Sequence, residues 1–246
     1  MRSSEPLQGF RRRRSSRSTA TSDSISAFST TSTRAGGIRA TAPRWKTSSG
    51  PPKWSGSTRS CGFLRGIRHS SAKPLETGVR ALLIPRVETA AEVREAVAAA
   101  RFSYDDGVGD RGTAGTRANR WDHECEDYHA REDAATTLGV MIKTADAVAD
   151  LEAILAVPDL GFVFVGHRDL THSLGYGEEI DHPEVAATVA EIRDACLDAG
   201  VPVGRVATDP EDARAAIDEG YRVILGGYEF HAVRQVYGEW ATVTDE

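Results

Sequence analysis

VMIKTADAVADLEAIL, residues Val140–Leu155, runs from an apolar stretch straight into an amphipathic helical pattern, with one charged residue, Lys143, at the junction. A buried strand feeding a helix is the repeating unit of parallel α/β folds. The same unit recurs on both sides of it. Ala81–Pro85 (ALLIP) reads as a buried strand, and Glu88–Arg101 as a helix rich in good helix formers. Thr137–Ile142 is a strand followed by a helix over Thr144–Val157, and Phe162–Gly166 (FVFVG) is a continuous apolar strand of the kind covered on both faces.

Downstream, Asp181-His182-Pro183-Glu184 opens a helix, with Asp181 as the expected N-cap and Gly200 as its stop. Val203–Ala207 is the next strand, and Asp209-Pro210-Glu211-Asp212 starts another capped helix. Tyr221–Leu225 and Glu229–Trp240 give the last strand and helix. This alternation satisfies either a (β/α)₈ barrel or a doubly wound sheet. Neither a GxGxxG nor a Walker-type glycine loop is present, which disfavours nucleotide binding.

Charge divides the chain in two. Residues 1–75 hold 15 Lys+Arg against Glu5 and Asp23, with 25 Ser and Thr. From Glu76 onward 34 Asp+Glu face 15 Lys+Arg, a net of −19, and Lys143 is the only lysine there. Such an acidic, lysine-poor surface suits a high-salt cytoplasm. Cys61, Cys125 and Cys196 have neither paired nor metal-type spacing, which points to a reducing, cytoplasmic setting. No apolar run approaches the ~18 residues of a membrane span, so no membrane partner is expected.

The N-terminal segment (RRRRSSRSTATSDSISAFSTTSTRAGG within it) shows neither strand nor helix period and lacks the aliphatic clusters needed to offset ordering entropy. It reads as a disordered Arg/Ser/Thr-rich tail. A transit peptide, a nucleic-acid-binding arm at Arg11–Arg14, and a gene read in the wrong frame are the specific alternatives.

Parallel α/β folds carry their chemistry at the C-terminal ends of the strands. That rule selects Pro85-Arg86, Lys143, His167-Arg168-Asp169 and Tyr228-Glu229, with Arg205 inside a strand. The glycine-rich loop Ser103–Asp122 exceeds ordinary connection length, so it is either functional or mobile. His123, His129, His172, His182 and His231 show no HxH or HExxH spacing and read as surface or capping residues.

From Leu75 to about Glu239 the sequence resembles the HpcH/HpaI-type aldolase family. The motifs that carry the likeness are LETGVRALLIPRVETAAE, the GVG…TRANRW loop, VMIKTADAVADLEAILAVP, FVFVGHRDLTHSLG and the HPEV helix start. The resemblance implies a divalent-metal-dependent, pyruvate-forming lyase that cleaves 4-hydroxy-2-oxo acids. Its fold would be a (β/α)₈ TIM barrel whose first strands are missing or replaced by the disordered segment. Residues 1–74 would then lie outside the family, and 75–246 would form a partial barrel.

By the same resemblance Asp169 is a ligand of a Mg²⁺- or Mn²⁺-like ion, and the second ligand should be a Glu where Lys143 stands. Backbone groups of Gly166–Asp169, with Gly166 and Arg168 named as substrate-binding, would cradle the oxo-acid carboxylate. A metal chelated by the oxo acid would polarise its carbonyl and stabilise the enolate left on cleavage. The resemblance also implies a homo-oligomer, of the hexameric kind with exchanged C-terminal helices.

The departures are specific. Lys143 puts a cation where a carboxylate should be. The family's Arg and His, expected near Gly62 and Gly37, are not found there. Because the non-matching residues occupy the length of the opening strands, a frameshifted or degenerate 5′ region is the favoured reading of residues 1–74. The chain is therefore expected to be an impaired aldolase, with weakened or lost metal binding, and prone to aggregate through exposed edges. Two other functions compete: a Schiff-base aldolase using Lys143, and a basic-tailed nucleic-acid-binding protein. The acidic remainder argues against the latter.

Overall fold

The computed structural model describes residues 26–30, 62–63, 72–123, 127–228, 233–234 and 237–238. The strands are β1 (Ser26–Thr30), β2 (Gly62–Phe63), β3 (Ala81–Pro85), β4 (Ser103–Tyr104), β5 (Gly107–Val108), β6 (Thr137–Ile142), β7 (Leu160–Val165), β8 (Val203–Val206) and β9 (Val223–Tyr228). The helices are α1 (Ala72–Glu76), α2 (Ala90–Ala100), α3 (Tyr128–Ala135), α4 (Ala145–Ala149), α5 (Leu151–Leu155), α6 (His167–Ser173), α7 (Pro183–Asp198) and α8 (Pro210–Asp218).

Seven strands form one sheet in the order β1-β9-β8-β7-β6-β3-β2, and every pairing is parallel. From β2 to β9 each strand lies beside its predecessor in the sheet, with no reversal of order. A doubly wound sheet requires such a reversal, so the winding is single. The first strand lies beside the last, as in a sheet that curls back on itself. Seven strands are described where a complete barrel has eight. Two of them, β1 and β2, fall inside the segment whose sequence shows no strand period; the rest of residues 1–71 lie outside the described residues.

Period-two alternation in β3, β6 and β7 sends residues to two separate cores. Leu82, Ile84, Leu138, Val140, Ile142, Val163 and Val165 join the helices in one buried cluster. Leu83, Met141, Phe162, Phe164, Val223 and Leu225 form a second cluster on the other face. Burial of both faces is why these strands read as unbroken apolar runs.

Helix starts follow local capping. Thr89 and Glu92 make a reciprocal capping box on α2, and Asp209 Oδ1 accepts from the Glu211 and Asp212 amides on α8. At α7 the expected cap is displaced by one residue. His182, not Asp181, is the N-cap, its Nδ1 accepting from the Glu184 amide at 3.3 Å. The helix expected over Thr144–Val157 is broken at Asp150, whose carboxylate accepts from the Ala90 amide at 2.7 Å. Gly200 stops α7 at φ +69, as expected. The helix expected over Glu229–Trp240 lies almost wholly outside the described residues.

Candidate active site

β6 sets up the mouth of the sheet. Met141 points to the inner cluster and Ile142 to the helices, so Lys143, one step further, returns to the inner side. Its stem lies across Gly166, the residue after β7: a Cβ at Gly166 would sit 2.6 Å from Lys143 Cγ and 3.1 Å from Cε. The two strand ends are tied together where the Gly166 amide donates to the Ile142 carbonyl at 2.8 Å.

Lys143 ends in an ion pair, with Nζ 2.7 Å from Asp169 Oδ2. The lysine side chain is 18% exposed and the aspartate 50%. A pair this open to water stabilises the fold by at most about 1 kcal/mol. Its consequence is electrostatic and positional, because the two residues singled out by sequence meet directly.

Asp169 lies on the first turn of α6. The helix is held by buried Leu170, by Thr171 Oγ1 donating to the His167 carbonyl at 2.8 Å, and by Ser173 Oγ accepting from the Ala145 amide at 2.9 Å. At the expected backbone cradle over Gly166–Asp169, the Gly166 groups are used within the fold. The Gly166 amide is bonded to Ile142 and its carbonyl to the Leu170 amide. Arg168 is exposed on α6.

The remaining strand-end residues do not all converge. Arg86 is exposed after β3 in a left-handed conformation, φ 56. His167 is half-buried among Asp181, Ile180 and Arg205, its Nε2 without a hydrogen-bond partner. Arg205 is turned to the helix layer: Nη2 meets Asp212 Oδ1 at 2.7 Å, and the guanidinium lies 5.3 Å from the Tyr221 ring centroid. That bond holds the Asp212 carboxyl below its ordinary range. Tyr228 packs against the inner cluster, and Glu229 lies outside the described residues.

The long loop belongs to the opposite end. It follows α2 and precedes α3 and β6, with the Asp110 amide donating to Ala98 and Arg111 to Arg101. Arg111 stacks over Phe102 at 4.5 Å and, with Arg80, pairs with Glu132, a carboxylate only 1% exposed. Sequence reading missed this clamp. Its three members are far apart in the chain, and no spacing signals them.

These residues do not fit the expected divalent cation. Such an ion takes hard oxygen donors, usually carboxylates. Here an ammonium touches the Asp169 carboxylate, and among the described residues no group of three or more His, Cys, Asp or Glu converges. No helix among the described residues is long and apolar enough to cross a membrane.

Residues 66–235 match the model of the HpcH/HpaI aldolase/citrate lyase family. The chain belongs to that family. The match begins somewhat before Leu75, where the motifs first become readable. A hydroxypyruvate/pyruvate aldolase of Chromohalobacter salexigens is 34% identical over 177 residues, 70% of this chain and 68% of that protein. A 2-keto-3-deoxy-L-rhamnonate aldolase of Klebsiella pneumoniae is 32% identical over 168 residues, 68% and 61% of the two chains. A solved HpcH/HpaI family protein from Burkholderia cenocepacia superposes with a TM-score of 0.69 at 28% identity, covering 77% of this chain and 75% of its own. Another curated relative, from Cupriavidus necator, is spanned over only 57% of its length.

Proposed function

We propose that this HpcH/HpaI family member is a homologue of divalent-metal-dependent aldolases that cleave 4-hydroxy-2-oxo acids to pyruvate and an aldehyde, and that its own turnover is impaired. The observation that carries this is the Lys143–Asp169 ion pair at the ends of β6 and β7. The names of the curated relatives support the reaction class and a small 2-oxo acid as substrate. The proposal includes a cytoplasmic homo-oligomer, on family resemblance. It also includes a frameshifted origin for residues 1–74, which upstream DNA encoding family-type opening strands in another frame would support.

The test is pyruvate release from a 4-hydroxy-2-oxo acid with Mg²⁺ or Mn²⁺ supplied. The expected outcome is no metal-stimulated release above background. Robust turnover by the unaltered chain contradicts the impairment. The Schiff-base alternative is not favoured by the geometry, since an ammonium held by a carboxylate has no lone pair to attack a carbonyl. Borohydride reduction with pyruvate should leave the mass of the Lys143 peptide unchanged.

A further inference from the structure

Loss of a metal position can come from collapse of the surrounding framework or from a change in the ligands alone. The strand ends here are in place. Gly166 is bonded to Ile142, Ser173 to Ala145, and Leu170 is fully buried beneath α6. Thr144 caps the helix that follows Lys143, its Oγ1 accepting from the Ala147 amide at 3.2 Å. Asp169 stands half-exposed on that framework, its carboxylate paired with the Lys143 ammonium at 2.7 Å.

We propose that Lys143 acts as an internal counter-ion: its ammonium neutralises Asp169 in place of a divalent cation, and this one charge, not the loss of the mouth, excludes the metal. The inference rests on the aldolase-family reading of this site. It follows from distance and sign. A dication approaching Asp169 must displace a tethered positive charge already in contact with the same oxygen. The lysine stem also fills the space over Gly166. A glutamate at the same position has a shorter stem and reverses the charge, giving one carboxylate after β6 and one on the first turn of α6, a set suited to Mg²⁺ or Mn²⁺.

Mn²⁺ binding followed by electron paramagnetic resonance on the full chain tests this without recourse to turnover. The unaltered chain should show no Mn²⁺ binding that Asp169→Asn removes. Lys143→Glu should bind Mn²⁺ about ten-fold tighter or more, and Lys143→Glu combined with Asp169→Asn should lose that gain. Should Lys143→Glu fail to fold, Lys143→Gln, which removes the charge without adding another, should still bind Mn²⁺ more tightly than the unaltered chain, in an Asp169-dependent way. Asp169-dependent Mn²⁺ binding by the unaltered chain overturns the proposal, as does a folded Lys143→Glu protein with no gain. Pyruvate release without Mn²⁺ binding contradicts the impairment alone; Mn²⁺ held at Asp169 without pyruvate release contradicts the counter-ion alone.

Discussion

His167 leaves the end of β7 half-buried, and burial pushes its imidazole below the ordinary 6.5; Asp181 opposes that shift and the Arg205 guanidinium adds to it. The unfolded chain therefore takes up this proton at a higher pH than the folded one. Stability from this residue is complete above about pH 6.5 and is lost as the pH falls from there toward the folded value. Asp212, held low by Arg205, titrates in a separate, more acidic window. His167→Gln should flatten the pH dependence of the urea midpoint between about pH 7 and pH 5; an unchanged slope would remove His167 as its source. At this scale the placement of Lys143 directly after β6 and of Asp169 shortly after β7 was legible, because the strand-to-helix pattern is local. Their contact was not, since it depends on how far the lysine stem reaches across Gly166. Arg205 shows the complementary failure: strand position alone could not show that it turns to Asp212 and Tyr221.

Strands and helices came through in the sequence wherever burial was two-sided or a cap was local. β6 and β7 are continuous apolar runs, and Asp209 with Pro210 marks the start of α8. The break between α4 and α5 was not visible. Asp150 leaves helical geometry with its carboxylate on the Ala90 amide, a contact set by packing across sixty residues of chain. The same holds for the element-level clamp under the sheet, where α3 delivers Glu132 between Arg80 and Arg111. With Glu132 1% exposed, Glu132→Ala leaves two guanidinium groups without their buried partner. The expected loss is about 3–5 kcal/mol in urea unfolding, with pairing at the mouth unaffected. A loss below about 1 kcal/mol would place the clamp among ordinary surface ion pairs.

At the scale of the whole molecule, whose net charge is −6, the acidic excess of residues 76–246 is a collective load on that part. From Glu76 onward the net charge is −19, and like charges at that density repel through the solvent. Screening shortens from about 10 Å at 0.1 M salt to about 3 Å at 1 M. The melting temperature should therefore rise between these concentrations of KCl; a flat or falling trend would mean that attractive pairs dominate. The single winding was within reach of the sequence only as one of two options. Strand order decided it, because local periodicity carries no record of which strands become neighbours. One lysine in this acidic part also makes the site chemically addressable. Lys143 is the only side-chain amine from residue 76 to 246, so acylation there reports on one locus. The ion pair must open before the nitrogen can react, and the growth of one acylated peptide in a mass spectrum becomes a clock for how often Asp169 lets go.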